Sequence, residues 1–132
     1  ANRCHYAAKI RSIIQKNHLR HFVVPDKWLY LLPPHPDAVQ PVVLLCTEMD
    51  LVPVEESKLA WKTVITKDHL DELYLIMKAG CGSWRLGSNV PYTRQGTFAF
   101  TDTERPSHRL SKVEKYLSPK MVRYWQKLLG QG

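Results

Sequence analysis

Between Tyr6 and Leu19, the apolar residues Tyr6, Ile10, Ile13 and Ile14 recur at steps of three and four, with Lys9, Arg11, Lys16 and Arg20 set against them. That period gathers the apolar set on one face and predicts an amphipathic helix. The pattern then changes character. His21 to Leu32 is rich in β-branched and aromatic residues, which suit a pleated surface, and Pro25-Asp26 divides it into two strand pieces. Pro33, Pro34, Pro36 and Pro41 enforce a loop, because proline lacks a ladder donor and restricts the residue before it. Val42 to Thr47 is a short, almost unbroken apolar run and reads as a central strand covered on both faces.

Glu48 to Pro53 stays partly apolar and looks like an extended connector. Glu55 to Thr63 predicts a helical turn with Leu59, Ala60 and Trp61 facing inward. Thr66 is a suitable N-cap for a helix over 67–78, where Leu70, Leu73, Tyr74 and Met77 line one face, and Gly80 and Gly82 end it. Val90–Thr93 and Thr97–Thr101 predict a β-hairpin with Gly96 at its turn. A last helix begins at Ser118, with Pro119 in its first position, and carries Val122, Trp125, Leu128 and Leu129 inward. The expected class is α+β: an N-terminal helix, a small and mostly antiparallel sheet, a central helix, a β-hairpin and a C-terminal basic amphipathic helix. The 132 residues suit a single domain, with segments 1–53, 54–104 and 105–132 as its parts.

Charge adds a second layer. Residues 1–27 carry six basic and one acidic side chain, 28–104 six and ten, and 105–132 seven and one. The overall balance is +7. A face of Lys120, Arg123 and Lys127, at helical spacing opposite Val122, Trp125 and Leu129, suits nucleic acid, an anionic membrane surface or an acidic partner groove. The same charges also suit plain solvation of an outer helix, so residues 105–127 leave these readings open. The longest uninterrupted apolar run, Val42 to Cys46, falls far short of the ~20 residues that span a bilayer. No basic-then-apolar leader opens the sequence, so neither a secretory signal nor a transmembrane segment is expected.

Cys4, Cys46 and Cys81 are odd in number and form no C-x-x-C pair, which disfavours zinc ribbons and disulfide frameworks and points to the cytoplasm or another reducing intracellular compartment. Cys46 reads as a small buried hydrophobe. His18 and His21, three apart, would share a helical face. His35, His69 and His108 lie among prolines, charges and serines and are expected to face solvent. The four tryptophans read as packing rather than as a stacking platform.

The most informative stretch runs from Gly87 to Glu104. It sets Asn89 before the hairpin and Asp102 immediately after the second strand. A hairpin brings its ends together, and an amide and a carboxylate oxygen there suit Mg²⁺, which keeps waters and shares phosphate oxygens. Lone Asn and Asp residues flanking a glycine turn also serve as turn and cap residues.

At these residues the sequence resembles the protein-kinase-like superfamily, in which a metal-binding Asn precedes a short hairpin and a D-F-G Asp follows 13 residues later. Asn89 and Asp102 have that separation, with Asp102-Thr103-Glu104 in place of D-F-G. The order of elements over about residues 6–104 is similar too. The resemblance implies that 1–19 is the helix packed on the nucleotide-binding sheet. It makes 21–32 and 42–47 the strands leading to the hinge, Thr47, Glu48, Met49 and Asp50 the gatekeeper and hinge, and 67–78 the helix before the catalytic loop. It also implies ATP and Mg²⁺, held weakly or lost, with Asn89 and Asp102 as metal ligands.

The departures bear on activity. The family's catalytic Asp lies five residues before the metal-binding Asn, and here that place holds Trp84. Indole cannot take a proton from a substrate hydroxyl, so the general base is missing. Residues 1–25 contain no Asp or Glu to make the phosphate-clamping ion pair, and no Gly-rich loop or V-A-I-K strand is present. The expected function is a kinase-like interaction or regulatory module with a protein partner and without phosphotransferase activity. Two alternatives stand beside it: an incomplete piece of an active phosphotransferase with a substitute base such as Asp71 or Glu104, or a nucleic-acid or anionic-surface binder.

Overall fold

Helix α1 (Asn2–Asn17) ends where His18 turns to φ +54° and the Leu19 N–H reaches back to the Ile14 carbonyl at 3.0 Å. That is a left-handed termination, here made without glycine. The computed structural model describes residues 2–25, 27–31, 42–46, 49–101 and 109–131. After α1 come β1 (Phe22–Val23), β2 (Lys27–Leu31) and β3 (Val42–Cys46), then α2 (Val54–Thr63) and α3 (Lys67–Lys78). A single turn α4 (Leu86–Asn89), strand β4 (Phe98–Ala99), a 3₁₀ helix (Leu110–Tyr116) and α5 (Pro119–Gly130) complete the order. The fold is mixed α and β, and mostly helical.

The strands differ from the expected single, mostly antiparallel sheet. β2 and β3 do pair antiparallel, Lys27 opposite Cys46 through Leu31 opposite Val42, with Pro33 to Pro41 between them. β1 instead pairs with β4, and in parallel: Phe22 opposite Phe98 and Val23 opposite Ala99. These are two separate two-stranded sheets. The parallel pair joins the segment after α1 to the far strand of the hairpin, a contact that no local alternation of apolar residues encodes. β3 therefore has one strand neighbour among the described residues and is not the central strand expected of it.

α3 is the axis of the core. Leu70, Leu73, Ile76 and Met77 are buried along it, while Tyr74 is only half-buried. α1 packs on β1, β2 and α3, and α5 closes the other side of α3 through Met121, Trp125 and Leu128. α2 presents Ser57, Ala60 and Trp61 inward, whereas Leu59 is 60% exposed, against expectation. The true inward set, at steps of three and four from Ser57, includes a serine because its Oγ accepts the Tyr92 N–H at 3.0 Å. Trp61 donates its indole N–H to the Val90 carbonyl at 2.9 Å and packs 4.4 Å, centroid to centroid, from Phe98. Phe22, Trp61, Phe98 and Phe100 thus form an aromatic centre under the hairpin.

Candidate functional site

The hairpin over 89–101 forms. At its tip, Thr93 accepts the Gly96 N–H at 3.1 Å and donates its own N–H to the Thr97 carbonyl at 2.7 Å. Gly96 sits at φ +88°, which glycine adopts without the Cβ clash other residues suffer. Further down, Ala99 N–H meets the Pro91 carbonyl at 2.9 Å. At the feet, both the N–H and the hydroxyl of Thr101 donate to the Asn89 carbonyl, at 3.1 and 3.2 Å. The ribbon therefore brings its two ends together at Asn89 and Thr101. Asp102, the other half of the expected metal pair, lies outside the described residues.

Asn89 is itself held in place. Its Nδ2 donates to Ser83 Oγ at 3.0 Å, and its Oδ1 accepts from Ser88 Oγ at 3.2 Å. An amide oxygen has two acceptor positions, so one remains for a hard cation.

Of the expected hinge, Thr47 and Glu48 also fall outside the described residues. Met49 is half-buried and Asp50 is exposed. Asp50 accepts the Arg94 N–H on its carbonyl at 2.9 Å and pairs its carboxylate with Arg94 Nε at 3.2 Å. Leu51 bridges Thr93 antiparallel, and Val52 N–H reaches the Tyr92 carbonyl at 3.1 Å. The segment after the expected hinge thus runs along the first strand of the hairpin. Asp50 lies at the tip end of the hairpin and Asn89 at its feet.

Trp84 is half-buried, with Lys115 Nζ 5.0 Å, Arg85 Cζ 5.2 Å and Lys112 Nζ 5.9 Å from its ring centroid. The position holds a ring among cations and no proton acceptor. Asp71, a substitute base on sequence grounds, accepts the Tyr124 hydroxyl at 2.6 Å. That bond, with burial second, pushes the Tyr124 phenol up to about 12. Glu104 lies outside the described residues.

Several other titratable groups settle differently from expectation. His69 is 5% exposed rather than solvent-facing. Its Nδ1 accepts the Thr66 N–H at 3.1 Å, and its own N–H donates to Thr66 Oγ1, completing a reciprocal cap at the start of α3. The His21 ring stacks on it with centroids 3.8 Å apart. Burial first, then the neighbouring His21, lowers the His69 pKa to about 4, with Asp68 opposing. The Glu72 carboxylate accepts the backbone N–H groups of Arg20 and His21 at 3.1 and 2.9 Å. The His21 Nε2 is 3.9 Å from Glu72, too far for a hydrogen bond, and is a buried nitrogen without a partner.

His18 and His21 lie beyond the end of α1, so the helical face expected to unite them is absent. Among the described residues, no three His, Cys, Asp or Glu side chains come together as metal ligands. Cys81 is a buried free thiol whose pKa burial raises, against the nearby Lys9; the side chains of Cys4 and Cys46 are outside the described set. No described helix is long and apolar enough to cross a membrane.

Sequence reasoning missed the His69 cap, although its signal is present: a threonine three positions before a side chain able to accept the cap's own N–H. Comparison with family models, with curated proteins and with solved structures returns no match.

Proposed function

We propose that the chain is a kinase-like module that works by binding, as an interaction or regulatory unit, and carries out no phosphoryl transfer of its own. One observation carries the reading. The ribbon that closes at Asn89 and Thr101 has the segment after Asp50 hydrogen-bonded along its opposite end. A nucleotide laid along such a ribbon has its base near Met49-Asp50 and its phosphates near Asn89. Mg²⁺ would supply charge neutralisation there, and the Asn89 Oδ1 fits it, with one acceptor position unused by Ser88. The chain's own residues would orient the ligand: Ser83 and Ser88 fix the Asn89 amide, and the Asp50–Arg94 pair fixes the far end. On this reading Trp84 takes the place of the base, and an indole among three cations accepts no proton.

A thermal-shift titration tests both parts. Millimolar ATP with Mg²⁺ is expected to raise the melting temperature, adenosine to raise it less, and Asn89→Ala to remove the Mg²⁺-dependent portion. No shift at millimolar nucleotide removes the nucleotide site from the reading. Transfer of labelled γ-phosphate by the purified chain overturns the non-catalytic assignment.

A further inference from the structure

The lysines of α2, the 3₁₀ helix and α5 assemble a basic track that the segment charges do not disclose. Lys58 and Lys62, four residues apart on α2, line an open cleft of about 410 Å³ with Lys115 and Tyr116 of the 3₁₀ helix. Lys62 also lines a second open cleft, about 570 Å³, with Lys67 and Lys120. Lys62 lines both clefts, so five lysines, Lys58, Lys62, Lys67, Lys115 and Lys120, line two clefts that share a wall residue. At the first cleft, Lys115 also approaches the Trp84 ring, where Arg85 and Lys112 gather as well. An indole face attracts cations through its quadrupole and so holds together like charges that repel one another.

Little opposes this charge. Asp68 lines the second cleft, and Glu55 pairs with Lys58 at 3.6 Å. Among the described residues, the other four track lysines have no ion-pair partner. A polyanion relieves that crowding. The charge is spread over two clefts that share Lys62, which suits a chain of phosphates better than one compact phosphate cluster. Lysine ammonium groups act as point charges on flexible stems, which suits backbone phosphates in varied register. Half-exposed Tyr116 and Trp84 put rings beside the phosphate path, and a basic groove with adjacent aromatics is the recurring arrangement for unpaired strands.

We propose that this track binds single-stranded nucleic acid, with phosphates along Lys115, Lys58, Lys62, Lys67 and Lys120 and bases against Tyr116 and Trp84. The proposal uses none of the hairpin residues; it shares with the nucleotide reading only Trp84 and the cleft-wall residue Ser88.

Fluorescence anisotropy of the full chain with a labelled 20-nucleotide single strand tests it. Each phosphate neutralised on a single strand contributes about −0.7 to the slope of log affinity against log salt, so five contacts give about −3.5. The Lys62→Gln/Lys115→Gln double variant is expected to bring the slope to about −2 and to weaken binding about 25-fold at 0.1 M salt. Lys16→Gln/Lys78→Gln removes the same charge from exposed sites elsewhere and is expected to leave affinity within about twofold. All four changes are on exposed side chains, and circular dichroism checks that both variants stay folded. Four results overturn the proposal: no saturable binding at 50 mM salt, equal losses in the two double variants, binding to duplex as tight as to the single strand, or preference for anionic lipid vesicles over the oligonucleotide.

Discussion

His69 shows what a single side chain can couple. Its neutral ring accepts the Thr66 backbone N–H at the start of α3, and it stacks on His21. Protonation of Nδ1 would remove that acceptor and place a charge beside His21, so the folded pKa lies near 4, below the ordinary 6.5. The unfolded chain therefore binds the extra proton first. The stability tied to this ring is complete above about pH 6.5 and is lost as the pH falls from there toward 4, roughly 3 kcal/mol across the window. The charge of Asp68 opposes the shift and is already part of it. His69→Gln keeps a side chain able to complete the cap and removes the titration. Its urea-unfolding free energy is expected to be flatter than the parent's between pH 6.5 and 4, and an equally steep fall in both proteins would place the acid sensitivity elsewhere.

Elements whose cause is local were legible in the sequence, and those made by distant partners were not. The start of α3 rests on Thr66 and the three residues after it, so the cap could be read directly. Thr66→Ala leaves the His69 N–H without its acceptor and is expected to cost about 1 to 2 kcal/mol, read as a shift in the urea midpoint at unchanged m-value. The hairpin was legible for the same reason: Gly96 sets the turn, and the strands on either side follow from it. At α2 apolarity alone assigns Leu59 inward, and it fails because the hydrogen bond that lets Ser57 go inside leaves no apolar signal. β1 and β4 escaped notice as a pair, since their parallel contact links residues far apart in the chain and each strand has only two residues. At the site, Asn89 could be placed at a hairpin foot from sequence. The basic track could not, because Lys58, Lys62 and Lys67 belong to the acidic middle segment and meet Lys115 and Lys120 only in three dimensions.

For the whole molecule, one buried cluster draws on α1, β1, the helices from α2 onward and the hairpin. Ile10 and Phe22 come from its beginning, and Trp61, Leu70, Leu73, Phe98 and Phe100 from its middle. Val113, Leu117, Met121, Trp125 and Leu128 complete the cluster from its end. Residues that share a close-packed interior lose their contacts together, so the chain is expected to unfold in one step. Phe22 is the sharpest probe of this. It is 1% exposed, stands within about 6.5 Å of Trp61, His69, Phe98 and Phe100, and belongs to the parallel pair that ties the chain's first third to the hairpin. Phe22→Ala is expected to cost about 3 to 5 kcal/mol. More telling than the size is the form of the loss. Far-ultraviolet circular dichroism reports all the helices, whereas tryptophan fluorescence reports the surroundings of the four tryptophans, Trp61 under the hairpin and Trp125 on α5 among them. If the interior is one unit, both signals move to the same lower midpoint in the variant. Should the fluorescence transition separate from the circular dichroism transition, part of the helical structure holds after the tryptophan surroundings are lost, and the chain does not unfold as one unit.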